Sequence, residues 1–264
     1  MENTVQTRLL DAFRAFEGVL PDIARTGIFS RSAQRYTGVN KNYRPVAEVV
    51  RKKRETDDTI SLTLQLPQDF PASHAGEHLD LAVEIRGVRH VRQYSIVSRE
   101  ENELQITVKK QNNGLVSSFI HENVVVGNRI EISAPRGGFT LPAKTAKTYI
   151  FCSAGSGITP VYAMARELLS SGTAADVHFY HAARSADAII FRAELEHLAE
   201  SHNNFLPQFF LSEAEGLEKR RLNFAALQSL MGNDLDKANT QVMLCGPGDF
   251  LSHTAAEDEG RFLP

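Results

Sequence analysis

Three short runs carry residue types that could do chemistry. In "FCSAGSGITPVYAMAREL", an apolar run passes through Gly155, Ser156 and Gly157 into a helical pattern. Glycines permit a sharp turn and close backbone approach, and free N–H groups at a helix start suit a pyrophosphate. A third glycine is absent; Pro160 stands there, in a first helical turn where its missing N–H costs little. Thr159 lies beside it. Taken alone, this run fits a structural glycine turn equally well. In "RQYSIVS", Tyr94 could stack on a planar ring, Ser95 offers a hydroxyl and Arg92 a phosphate partner. An ordinary half-exposed strand reads the same way. In "NNGLVSSFI", Gly114 and Ser117 open a short helix, which is either a second anion site or a plain N-cap turn.

The elements that must position these residues fall into two textures. From about Val46 to Leu141 the chain reads as six short strands with one short helix, "LVSSFIHENV". Ile60, Leu62, Leu64 and Leu66 alternate with Ser61, Thr63 and Gln65, the period of a strand with one apolar face. An antiparallel Greek-key barrel is expected. Beyond Pro142 to Ala146, apolar strands alternate with helices, beginning with "KTYIFCSA" and "ITPVYAMARELLSSG". That order predicts a parallel sheet in an α/β unit. It includes a helix over "DAIIFRAELEHLAESH" and a last strand, "TQVMLCGP". The expected units are a helical extension over 1–40, a barrel over 41–143 and an α/β unit over 144–264. The extension rests on Val5, Leu9, Phe13, Phe16 and Leu20 at helical spacing. A helix packed on its own protein, or one at a membrane surface or partner, would both show this pattern.

Bulk properties narrow the class. The 264 residues are 42% hydrophobic and 23% charged, with a net charge of −3 that argues against a dedicated nucleic-acid binder. No apolar run reaches the roughly 18 residues of a spanning helix, and the charged N-terminus does not read as a signal peptide. Two cysteines, Cys152 and Cys245, suit a reduced, cytoplasmic protein and cannot supply the four thiolates of an iron–sulfur cluster. Of the nine histidines, His74 and His78 alone stand at H-x-x-x-H spacing, in "HAGEH" where the run leads into a strand pattern, and no metal site is expected. "RKKR" at 51–54 reads as a solvated strand end, or as a docking aid for an acidic carrier.

The order of the motifs is more specific than any one of them. A β unit with R-x-Y-S and then G-x-x-S precedes an α/β unit that opens on G-x-G-x-x-P and ends its last strand on C-G-P. This resembles the ferredoxin–NADP reductase superfamily from about Arg44 to Phe250. "PRGGFTLP" and "HAARSADAIIFRAELEHLA" also look like the bacterial flavodoxin/ferredoxin reductases, which often serve desaturases and oxygenases.

The resemblance implies an enzyme that moves a hydride from NAD(P)H to FAD and then single electrons to a separate ferredoxin, flavodoxin or oxygenase-type acceptor. Arg92 would contact the flavin pyrophosphate, Tyr94 would stack on the ring, and Ser95 would lie near its N5. Backbone at Ile96, Val97 and Ser98 would line the ring edge. Gly114 and Ser117 would bind phosphate, favouring FAD over FMN. Gly155, Gly157, Thr159 and Pro160 would receive the nicotinamide nucleotide, and Cys245, Gly246 and Pro247 would place its C4. Cys245 is expected to act by contact, not as a nucleophile. Arg184 and Ser185 could bind a 2′-phosphate, and no acid sits at that strand end, so NADPH is favoured, with NADH possible. A flavin reductase that releases reduced flavin, and an inactive binding module, are the rivals. Many such relatives carry a C-terminal 2Fe–2S domain; no cysteine follows Cys245, so electrons are expected to leave from the flavin to another protein. Phe262 is not expected to cover the flavin.

Overall fold

The structure, a computed structural model, describes residues 44–213, 222–231 and 236–254. The expected helix over 1–40 and Phe262 lie outside them. Six strands close a barrel in the order β1-β2-β5-β4-β3-β6. They are β1 (Val46–Thr56), β2 (Thr59–Gln65), β3 (His78–Ile85), β4 (Val88–Glu100), β5 (Glu103–Lys109) and β6 (Arg129–Ile132). Every pairing around the barrel is antiparallel. Helix α1 (Leu115–Asn123) follows β5. Alternate residues such as Leu62, Leu64, Leu79, Leu81, Leu104 and Ile106 point inward and form the barrel core.

The alternation in β2 predicts one wet face, yet Thr59, Ser61 and Thr63 are buried as well. The polar groups are satisfied within the layer: the hydroxyls of Ser61 and Thr107 share a 2.7 Å hydrogen bond. Buried hydroxyls that find partners cost little, so the second face tolerates burial.

The second unit is a parallel sheet in the order β10-β7-β8-β9. Its strands are β7 (Thr148–Ala154), β8 (Asp176–Ala183), β9 (Phe205–Leu211) and β10 (Thr240–Cys245). β7 is buried on both faces from Tyr149 to Ala154, as its unbroken apolar run requires. Helix α2 (Ile158–Ser170) packs on one face with Phe151, Phe179 and Met243. Helices α4 (Phe224–Met231) and α5 (Gly248–Thr254) serve the other, where Ile150, Cys152, Tyr180 and Leu244 meet Leu227 and Leu251.

The helix expected over "DAIIFRAELEHLAESH" starts late. Residues 186–188 form a short 3-10 turn, and Phe191 takes a left-handed φ of 59° before α3 (Arg192–Ser201) begins. Ile189, Ile190 and Phe191 are all buried. Three consecutive buried side chains cannot share one stripe of a surface helix, so the chain folds over to bury them first. Phe191 then stacks on Tyr162 of α2 at a centroid distance of 4.6 Å.

The two units share a seam. Val97 of β4 and Phe139 pack into the core beneath α2. Arg166 of α2 pairs with Glu100 at 2.9 Å, and the Ala75 N–H donates to Glu167 at 3.3 Å. Lys53 of β1 bridges to Glu194 of α3. No described helix is long and apolar enough to cross a membrane.

Candidate functional site

On the barrel side the site is built on β4. Its register opposite β3 pairs Arg92 with Leu81, Tyr94 with Leu79 and Ser95 with His78. Arg92 is exposed; its Nη1 donates to the Val91 carbonyl at 2.7 Å, and among the described residues no carboxylate pairs with it. Tyr94 is half-buried against the barrel core, and burial pushes its phenol up to about 12, so it stays protonated. Beyond Ser95 the strand bulges: the register against β5 shifts between Ile96 and Ser98. The shift breaks the alternation, so adjacent residues Ile96 and Val97 are both buried, at 3% and 2% exposure. Ile96 enters the barrel core and Val97 the core beneath α2. The Ser98 hydroxyl turns to Gln105 at 3.4 Å.

The loop into α1 closes on itself. The Ser117 hydroxyl accepts from the Gln111 N–H at 3.0 Å and donates to the Gly114 carbonyl at 3.3 Å. A Cβ on Gly114 would lie 2.5 Å from that hydroxyl, so the turn needs glycine. Ser117 therefore points inward, and it is Ser118, with Gly114, Leu115, Arg86 and Asn113, that lines an open groove of about 460 Å³. Ile85, at the end of β3, lines it too.

On the nucleotide side, Gly155 to Gly157 form a 3-10 turn between β7 and α2, and Gly155 has a φ of +53°. β10 runs parallel to β7 with Cys245 opposite Ser153. A Cβ on Gly157 would sit 2.3 Å from the Cys245 carbonyl oxygen and 2.7 Å from the Gly246 nitrogen. The two motifs thus touch backbone to backbone, although almost ninety residues separate them. Thr159 spends its hydroxyl on the Ser156 carbonyl at 3.0 Å, and Pro160 is buried in the first turn of α2. The Pro247 carbonyl accepts the Leu251 N–H at 3.0 Å and so opens α5. Burial pushes the Cys245 thiol up to about 12; a group so protonated is a poor nucleophile.

Arg184 and Ser185 stand exposed at the end of β8. The Arg184 guanidinium does not stand open: it reaches across the seam to Asp58, in the β1–β2 turn, at 3.3 Å. Asp58 had no signal in the sequence, where "DD" before a strand reads as a turn. Nor had the buried pair of Ser153 and His181, whose Oγ and Nδ1 lie 2.9 Å apart.

Two family models meet this geometry. The oxidoreductase FAD-binding domain matches residues 46–141, and the oxidoreductase NAD-binding domain matches residues 151–256. The chain belongs to the ferredoxin reductase-like family. It is similar to a flavohemoprotein from Bacillus subtilis, 33% identical over 73% of this chain and 49% of that protein. A glycine betaine monooxygenase reductase subunit from Pseudomonas aeruginosa is 32% identical over 67% of this chain and 50% of that protein. The chain therefore spans about half the length of these relatives. Among solved structures, phthalate dioxygenase reductase superposes with a TM-score of 0.65 at 26% identity, over 79% of this chain and 62% of that one.

The chain is thus an oxidoreductase of this family with a FAD-binding barrel and a NAD-binding sheet. Its residues fit the flavin nucleotide. Arg92 offers an exposed guanidinium that no carboxylate pairs among the described residues, Tyr94 a half-exposed ring, and the α1 loop a glycine turn beside a groove.

Proposed function

We propose that the protein carries electrons from NADPH, through FAD on the barrel, to a separate ferredoxin, flavodoxin or oxygenase component. In this reading residues 41–143 form the FAD domain and 144–264 the nucleotide domain. The observation that carries it is the placement of β4: Val97 is embedded beneath α2 while Arg92 and Tyr94, a few residues earlier, stay on the barrel. The strand that would hold the flavin is thereby fixed against the helix whose first turn would hold the nucleotide.

When bound, FAD supplies the conversion of a two-electron hydride into single electrons. The chain's own residues bind and orient. Arg92 would neutralise the flavin diphosphate, and Tyr94, kept protonated, would support the ring without carrying charge. Gly114 and Leu115 open the groove toward the rest of the dinucleotide. The Gly155–Gly157 turn and the start of α2 would receive the pyridine nucleotide's phosphates. Cys245, clamped by Gly157, would set the depth of the nicotinamide by contact. Ser95 would serve as the hydrogen-bonding group at the reacting edge. Arg184 and Ser185 would select NADPH by its 2′-phosphate. A protein acceptor is supported by the reductase subunit from Pseudomonas aeruginosa and by phthalate dioxygenase reductase, described as modular for electron transfer from pyridine nucleotides to 2Fe-2S. Two unpaired thiols accord with a cytoplasmic setting.

The test is anaerobic mixing of the FAD-loaded protein with NADPH or NADH, following the flavin band. Bleaching with NADPH, at lower concentration than with NADH, is expected. A band that stays yellow with both coenzymes would overturn the proposal.

A further inference from the structure

We infer that Asp58 is a coenzyme-specificity residue: from the barrel side of the seam it holds Arg184 back from the 2′-phosphate of NADPH. This deepens the proposed function and rests on the reading that Arg184 receives that phosphate.

The carboxylate of Asp58 is fixed from its own side. The Lys109 ammonium donates to both of its oxygens at 2.7 Å. The hydroxyls of Thr56 and Thr59 donate to Oδ1 at 3.0 and 2.9 Å. The Lys110 N–H holds the Asp58 carbonyl at 2.6 Å. On its own side, among the described residues, Arg184 is fixed only through its backbone, where its carbonyl accepts the Glu213 N–H at 2.9 Å. Its side chain is 62% exposed and gives one N–H, from Nη2, to Asp58 at 3.3 Å. In this pair the aspartate is the anchored member and the arginine the movable one.

An anion arriving at the end of β8 meets a guanidinium that already faces a carboxylate. To bond it, the arginine must swing away from Asp58 or share its donors with two negative groups. Both outcomes weaken the grip on a phosphate, the second by direct repulsion. A coenzyme without the 2′-phosphate makes no such demand. Asp58 thus narrows the preference for NADPH that Arg184 creates, and it does so from outside the nucleotide-binding unit.

The test measures binding of adenosine 2′,5′-bisphosphate and of ADP to the FAD-loaded chain by calorimetry, so no turnover is needed. Asp58→Asn keeps the shape and the threonine hydrogen bonds. It is expected to tighten 2′,5′-bisphosphate binding about threefold or more, the scale of an exposed ion pair, and to leave ADP unchanged. Arg184→Ala is expected to weaken the bisphosphate about tenfold, and the double variant to show no gain from the loss of Asp58. If Arg184→Ala weakens the bisphosphate but Asp58→Asn does not tighten it, the role of Asp58 is wrong and the reading of Arg184 stands. If Arg184→Ala changes nothing, both fall. Should Asp58→Asn fail to fold, Asp58→Ser removes the charge with a smaller hydrogen-bonding group and carries the same expectations.

Discussion

Ser153 and His181 face one another on adjacent parallel strands, in register, and share a 2.9 Å hydrogen bond in the interior. Cys245 occupies the same row on β10, so the pair lies in line across the sheet with the first residue of C-G-P. His181 is fully buried and its Nε2 has no partner among the described residues. Burial and then the nearby Lys109 ammonium lower its pKa to about 3, against the weaker opposing effect of Ser153. The sign follows from linkage. Above pH ~6.5 the imidazole is neutral in both states. Below it the unfolded chain takes a proton that the folded chain refuses, so stability falls as the pH falls. The loss from this one group should reach about 2 kcal/mol by pH ~5. Thermal melts of wild type and His181→Gln between pH ~8 and ~5 check it. The variant should show a clearly shallower decline; parallel curves would remove His181 as the cause.

Gly157 is the contact point between the nucleotide turn and the C-G-P backbone. Gly157→Ala places a methyl 2.3 Å from the Cys245 carbonyl oxygen, a distance at which backbone must move. Overpacking of this kind costs about 1–3 kcal/mol. Because the displaced atoms border the proposed nicotinamide site, coenzyme affinity should fall with stability. Gly155→Ala meets no atom within 4 Å and bears only the strain of its positive φ, a smaller cost of roughly 1 kcal/mol. Melting temperature and coenzyme titration of the two variants side by side should rank Gly157→Ala as the more damaging in both.

The Cys245 thiol gives a third expectation. Held up at about 12 by burial, it should resist iodoacetamide at pH ~8, where an ordinary thiol of pKa ~8.5 reacts readily. Intact-mass measurement after timed alkylation reads this out. Cys245 is partly exposed, so its rapid labelling would show a thiol more acidic than the structure gives. Cys245→Ala should keep coenzyme affinity within a fewfold while slowing flavin reduction, since a contact has gone and no nucleophile was needed.

What could be read from the chain follows the range of the interactions. The period of Ile60, Leu62 and Leu64 and the alternation of apolar strands with helices are local, and both sheets form where those patterns stand. The four motifs are local too: three sit at a turn, a helix start or a strand end, and R-x-Y-S lies within β4. The junction of Gly157 with Cys245 was implied only by motif order, because nothing between them marks the contact. α3 begins later than the expected helix because Phe191, Leu195 and Leu198 share helical spacing in the sequence, whereas the burial of Ile189, Ile190 and Phe191, a tertiary demand, overrides it. Asp58 and Arg184 lie 126 residues apart in sequence, and no local property of either announces the other. His181 reads as one more polar residue near a strand end, and its full burial appears only in the folded sheet.

Lys52 has a role that neither sequence reading of the "RKKR" run, solvated strand end or docking aid, includes. As a solvated strand end it would matter little. In the structure its ammonium donates to the carbonyls of His121 and Val124, at 2.8 and 2.7 Å, which are free acceptors at the C-terminal end of α1. Positive charge there also suits the helix dipole. Gly114 caps the other end of α1, and the groove runs along the helix from Gly114 to Asn123. Lys52→Met keeps the apolar stem and removes both hydrogen bonds, which should cost about 1–3 kcal/mol through the stranded carbonyls. A looser α1 should also hold its N-terminal turn less firmly, so FAD affinity should fall severalfold. Arg51→Met is the control: its contact with Glu103 is 3.6 Å long and its side chain 67% exposed. A change there should stay within about 0.5 kcal/mol and leave FAD retention untouched. Urea denaturation and flavin titration of the two variants decide the matter. Equal, small effects would return Lys52 to the solvated face.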